Sequence, residues 1–125
     1  MRFAGYAAVF DRPDRGGDVV RRGAFVRSLQ GGTVPLLWQH EKDRPIGRID
    51  YLREDARGLR VVARVVDARV AALLQARAVT GLSFGYRVRE ARGREPRELT
   101  ELDLVEVSLV TFPMQPLARV HAVEG

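Results

Sequence analysis

Apolar and polar residues alternate with a period of two along much of this chain, and two spans are spaced for helices instead. Arg2 to Phe10 reads as a first strand. Asp11 to Asp18 concentrates Gly, Pro and Asp and reads as a turn. Val19-Val20 reads as a short strand. Gly23 to Gln30 reads as a short helix with Ala24, Phe25 and Leu29 inward, ended by Gly31-Gly32. Val34 to His40 is a strong strand, followed by a polar loop from Glu41 to Pro45. Ile46 to Leu52 and Leu59 to Val66 read as a hairpin. Asp67 is placed to cap a helix over 68–79, whose stripe is Val70, Ala71, Leu73, Leu74 and Ala78. A strand from Gly81 to about Arg89 follows, with Leu82, Phe84, Tyr86 and Val88 on its core face. Ala91 to Arg97 is a polar tip. Leu99 to Leu104 and Val105 to Phe112 read as two further strands, which Pro113 and Pro116 stop. Leu117 to Val123 forms a last short element.

The pattern predicts a mainly β (α+β) fold in one domain, residues 1–125. Its six or seven strands follow one another as hairpins rather than alternating with helices. That order argues for a small, mostly antiparallel β-barrel with two or three peripheral helices.

Composition removes several function classes. The chain is 46% hydrophobic and 30% charged, an ordinary globular balance, and no stretch approaches the roughly 20 apolar residues that span a bilayer. The N-terminus lacks the apolar core of a signal peptide, so an intracellular protein without a membrane partner is expected. No cysteine is present, which excludes disulfides, thiolate nucleophiles and thiolate metal sites. The two histidines, His40 and His121, have no metal-ligand spacing, and Gly16-Gly17 and Gly31-Gly32 lack the Lys and Ser or Thr of a phosphate loop. No metal or cofactor is expected. The net charge of +5 is almost all arginine, with Lys42 the only lysine. The arginines are spread out and interleaved with acids, so a solvated surface explains them better than a nucleic-acid partner does.

Three polar residues stand out because each is set in or at the end of an apolar strand. Ser83 lies between Gly81 and Gly85, and glycine within a strand often marks a close approach to the backbone. It can be a nucleophile with open space above it or a small residue at a packing point. His40 ends an apolar strand, as a base at the rim of the core or as a half-buried cap. Glu106 interrupts the run from Leu104 to Val110, and a buried carboxylate is costly unless it is paired. Its alternative is an edge strand with Glu106 and Ser108 facing water. Ser108 is a second candidate nucleophile. An activated hydroxyl needs a serine, a base within reach and a group that orients the base.

Five stretches together resemble the prohead serine proteases of tailed bacteriophages: Gly5 to Phe10; Gly17 to Val20 with Gly23-Ala24-Phe25; Pro35 to His40 with Pro45-Ile46-Gly47; Gly81 to Tyr86; and Glu106 to Pro113. The resemblance implies a serine endopeptidase of the herpesvirus-protease type, a small barrel ringed by helices. It implies Ser83 as nucleophile and His40 as base. The third member is histidine in the herpesvirus enzymes and acidic in the phage enzymes, which here falls on Glu106. It implies cleavage of major capsid protein precursor or scaffold during head assembly in a phage or gene-transfer agent. The place would be the bacterial host cytoplasm, inside the assembling procapsid. The portal protein and a second copy of the chain are further candidate partners. Many relatives carry a longer C-terminal extension than this chain. A non-catalytic, scaffold-binding assembly factor of the same fold is the alternative. Backbone amides near Thr111 to Pro113 and the Arg87 side chain are candidate oxyanion donors.

Overall fold

The computed structural model describes residues 1–125 and contains eight strands and two helices. In chain order these are β1 (Arg2–Val9), β2 (Asp18–Val20), α1 (Val26–Leu29), β3 (Leu36–Trp38), β4 (Glu41–Glu54), β5 (Gly58–Val65), α2 (Ala68–Gln75), β6 (Gly81–Arg92), β7 (Arg97–Val110) and β8 (Val120–Glu124). The chain is mainly β, as its alternating pattern requires.

The strands form one mixed sheet with β7 as its hub. β6 runs antiparallel along the length of β7, while β2 and β3 lie parallel to β7 at residues 97–99 and 107–109. From β3 the sheet continues through β4, β5 and β1 to β8 by antiparallel pairs. The expected barrel is corrected here: the sheet is not closed. Gly81 and Arg119 form one isolated bridge, supported by Leu82 N–H donating to the Ala118 carbonyl at 2.9 Å. The physical reason lies in the chain after β7. Pro113 and Pro116 cannot donate to a ladder. The backbone recovers strand geometry only near Val120, where β1 takes it up.

Several element boundaries also differ from the pattern. Leu99 to Leu104 and Val105 to Phe112 are one strand, because bulges carry β7 past its polar interruptions without ending it. Helix α2 stops at Gln75 rather than 79. Arg77 takes a left-handed φ of 56°, Ala78 N–H reaches back to the Leu73 carbonyl (2.9 Å) and Arg77 N–H to that of Leu74 (3.1 Å). That is a Schellman stop. At the other end Asp67 accepts from Val70 N–H at 3.0 Å, the cap the sequence predicted.

Phe3, Leu36, Val61, Leu82, Leu102 and Leu109 meet in one core, over which α2 lays Val70 and Leu74. Along β6, Leu82 and Phe84 enter this core, Tyr86 is half-buried, and Val88 lies beyond it, exposed. At Glu106 to Val110 both faces of β7 are covered. A polar residue there must find partners inside the protein.

Candidate active site

The geometry begins with a reversal that the sequence does not announce. After Trp38 the chain turns back in two residues, Gln39 and His40, and Trp38 pairs with Glu41. Strand β4 therefore starts where a polar loop was expected. Both turn residues have positive φ, 52° at Gln39 and 63° at His40. A two-residue hairpin of this kind favours Asn and Gly, because other side chains strain the left-handed backbone by about 1–2 kcal/mol each. The turn is held by its neighbours on β7. Gln39 N–H donates to the Leu109 carbonyl (2.9 Å) and His40 N–H to Ser108 Oγ (3.1 Å). The Gln39 amide donates through Nε2 to Thr111 Oγ1 (2.6 Å) and accepts Thr111 N–H on Oε1 (3.1 Å).

This anchoring sets the His40 ring against Glu106, with Nδ1 2.5 Å from Oε1. Glu106 is only 6% exposed, so the edge-strand alternative fails. Its charge is tolerated because both oxygens are used: Oε1 meets His40, and Oε2 accepts from the Ser108 hydroxyl. The backbone makes room for it. Gly85 is the register partner of Glu106, and a Cβ at Gly85 would lie 2.6 Å from Oε1. The pairing skips Val105 between Gly85–Glu106 and Tyr86–Leu104, a bulge beside the carboxylate. At the other end of the Ser83 segment, a Cβ at Gly81 would meet the Val110 carbonyl at 2.6 Å. The two glycines thus admit, respectively, the acid and the neighbouring strand.

Ser83 lies on β6 opposite Ser108 on β7. The two hydroxyls have different surroundings. Ser108 is fully buried, donates to Glu106 and accepts from His40 N–H, which fits a structural bridge. Ser83 is 7% exposed, and no sealed side-chain polar atom in the chain lacks a partner. Its hydroxyl makes no side-chain hydrogen bond within the chain, to His40 or to any other residue.

The hydrogen bond to Glu106 raises the His40 pKa above its ordinary 6.5; partial desolvation opposes this, and the carboxylate's charge adds to the rise. A proton fixed on Nδ1 leaves the Nε2 lone pair free. A groove of about 480 Å³ opens beside the pair, lined by Pro35, Leu37, Lys42, Tyr86, Arg87 and Val105. Of the candidate oxyanion donors, Arg87 borders this groove, whereas Thr111 N–H is already given to Gln39. Sequence reasoning passed over Gln39 as a separate functional residue. No local signal marks it, because its partner Thr111 lies 72 positions away.

A family model described as caudovirus prohead serine protease matches residues 1–125. The prohead protease of Enterobacteria phage HK97 is 32% identical over 137 residues, covering 98% of this chain and 60% of that protein. The capsid polyprotein of Pseudomonas phage PAJU2 is 28% identical over 128 residues, covering 90% of this chain and 19% of that one. The chain thus spans less than two thirds of the length of either relative. Among solved structures, the KSHV protease in complex with a hexapeptide phosphonate inhibitor is similar with a TM-score of 0.70 and 12% identity, over 99% of this chain and 65% of that one. The varicella-zoster virus protease follows with 0.63 and 16%, over 96% and 62%. At these identities the likeness is one of fold.

Proposed function

The chain belongs to the caudovirus prohead serine protease family, and from that premise we propose that it is a serine endopeptidase that cleaves capsid or scaffold segments as a phage head matures. The observation that carries the reading is the pairing of His40, in the β3–β4 turn, with Glu106 on β7, the strand next to the one that bears Ser83. Ser83 Oγ attacks the scissile carbonyl carbon while His40 Nε2 takes its proton. The resulting imidazolium is stabilised by Glu106. Collapse of the tetrahedral intermediate breaks the C–N bond, and His40 returns the proton to the leaving amine. Water then repeats the sequence on the acyl-enzyme and frees Ser83. The similarity to a phage capsid polyprotein favours a capsid-protein substrate, and cleavage in the host cytoplasm within the assembling procapsid suits that substrate.

The test is labelling with a serine-reactive peptidyl phosphonate, followed by peptide mapping and by processing of capsid precursor. Ser83→Ala is expected to lose both label and processing while keeping its fold. Ser108→Ala is expected to keep the label at a reduced rate, because it loosens both Glu106 and the His40 turn. A label mapped to Ser108, or processing that survives Ser83→Ala, would remove Ser83 from the mechanism.

A further inference from the structure

We propose that Gln39 is a positioning residue for the catalytic base, acting through Thr111 to hold the left-handed turn that aims His40 at Glu106. The inference rests on the peptidase reading for its catalytic consequence and on the turn geometry for its substance. The sequence of the turn is unfavourable locally. Glycine or asparagine would suit the backbone at Gln39, with its φ of 52°, better than glutamine does. Glycine has no side chain, however, and asparagine is one methylene shorter. Glutamine spans from the turn to Thr111 and pairs with it twice, as donor to Oγ1 and acceptor from N–H. Those bonds tie Gln39 to the residue just past the end of β7. Strand β7 also holds Glu106 and Ser108. Base and acid are thereby referenced to one strand. Without the clamp, the turn residues keep their backbone N–H bonds to Leu109 and Ser108, the flanking Trp38–Glu41 pairing and the His40–Glu106 contact itself, against the turn's own conformational preference.

The short His40–Glu106 contact makes the consequence measurable, since small displacements of an oriented base lower rates steeply. Glu106 from β7 pairs with the imidazole, and Lys42 from β4 and Arg87 from β6 are the other charged residues lining the groove that His40 enters. Gln39→Ala alters none of them. Two readouts are compared: the phosphonate-labelling rate constant, and, in a Ser83→Ala background, the NMR signal of His40 Nδ1–H with the imidazole titration. Gln39→Ala is expected to slow labelling about 10- to 100-fold, with a melting temperature within a few degrees of wild type. It is also expected to weaken the Nδ1–H signal and to move the imidazole titration down toward ordinary histidine. Gln39→Glu keeps the length and the acceptor for Thr111 N–H, and the Thr111 hydroxyl can turn to donate to it. It should recover most of the labelling rate lost in Gln39→Ala. The proposal is overturned if Gln39→Ala labels at the wild-type rate, if its loss equals its unfolded fraction, or if labelling slows while both His40 signals stay unchanged. If the wild-type chain takes no label but the His40 signals respond to Gln39→Ala as described, positioning stands and the peptidase reading falls.

Discussion

Replacing Glu106 by glutamine tests the acid through the hydrogen bonds around it. In the native site Glu106 accepts twice, from His40 Nδ1–H and from the Ser108 hydroxyl, while Ser108 Oγ also accepts His40 N–H. A glutamine has one oxygen and one NH2. With oxygen toward His40, the NH2 faces Ser108, whose buried hydroxyl proton then has no acceptor. With NH2 toward His40, Ser108 is satisfied, but His40 must carry its proton on Nε2, where it cannot act as a base. Leaving a buried donor unpaired costs about 1–3 kcal/mol. The inactive tautomer is therefore favoured by a factor of roughly 5 to 150. A charge-assisted hydrogen bond exceeds a neutral one by about 1–2 kcal/mol, which removes a further factor of roughly 5 to 30 from stabilisation of the imidazolium. The product is a loss of roughly 25- to 4,500-fold, below the roughly 10⁴-fold drop seen when the acid of a Ser-His-Asp protease becomes an amide. The assay is the phosphonate-labelling rate constant together with peptide cleavage, with thermal melting as a check on folding. Adding Ser108→Ala removes the hydroxyl that drives the tautomer choice, so Glu106→Gln should cost less in that background than in the native one. Cleavage by Glu106→Gln within about 3-fold of wild type would refute the reasoning, because that lies well below the smallest loss the hydrogen bonds allow.

Two further outcomes are expected. Gly85→Ala puts a methyl 2.6 Å from Glu106 Oε1, so it should slow labelling by at least about 10-fold and destabilise by about 1–3 kcal/mol; unchanged labelling would show that Glu106 has room to move. The His40 pKa is raised above 6.5, so its ionic contribution to stability is complete below that value and is lost as pH rises through the folded-state pKa. Under the proposed mechanism catalysis runs the other way, because His40 must be unprotonated to act as base. The acid limb of kcat/KM should lie above pH 6.5 in wild type and shift down in Glu106→Gln; a limb below 6.5 in wild type would contradict the pairing.

Alternation was enough to find β5 and β6 and apolar content to find β1, while Glu106 and Ser83 stood out as polar residues in apolar runs, because a strand segment covered on both faces leaves few polar positions in the sequence. It read β7 as two strands because bulges break that period without ending the ladder. It placed the reversal after β3 too late, since Gln39-His40 contains none of the residues that signal a left-handed turn. The parallel pairing of β3 with β7 left no local trace, and neither did the Gln39–Thr111 contact across 72 positions. Ser108 looked like a nucleophile because composition cannot distinguish a hydroxyl with two partners from one with none.

The dependence of the site on the β3–β7 ladder bears on when reactivity arises during folding. The β6–β7 pair is a hairpin and closes a short loop. The bond between His40 and Glu106 joins positions 66 apart, and that between His40 and Ser108 joins positions 68 apart. Long-range parallel pairing loses more chain entropy and is slower than hairpin closure. Ser83 is therefore expected to reach its final register before His40 docks on β7, so that under the proposed mechanism the serine stays unactivated while the chain is still extended and open to attack by another copy. In stopped-flow refolding, phosphonate reactivity should grow in with the slowest folding phase; reactivity appearing with the earliest strand signal would show that the base docks first.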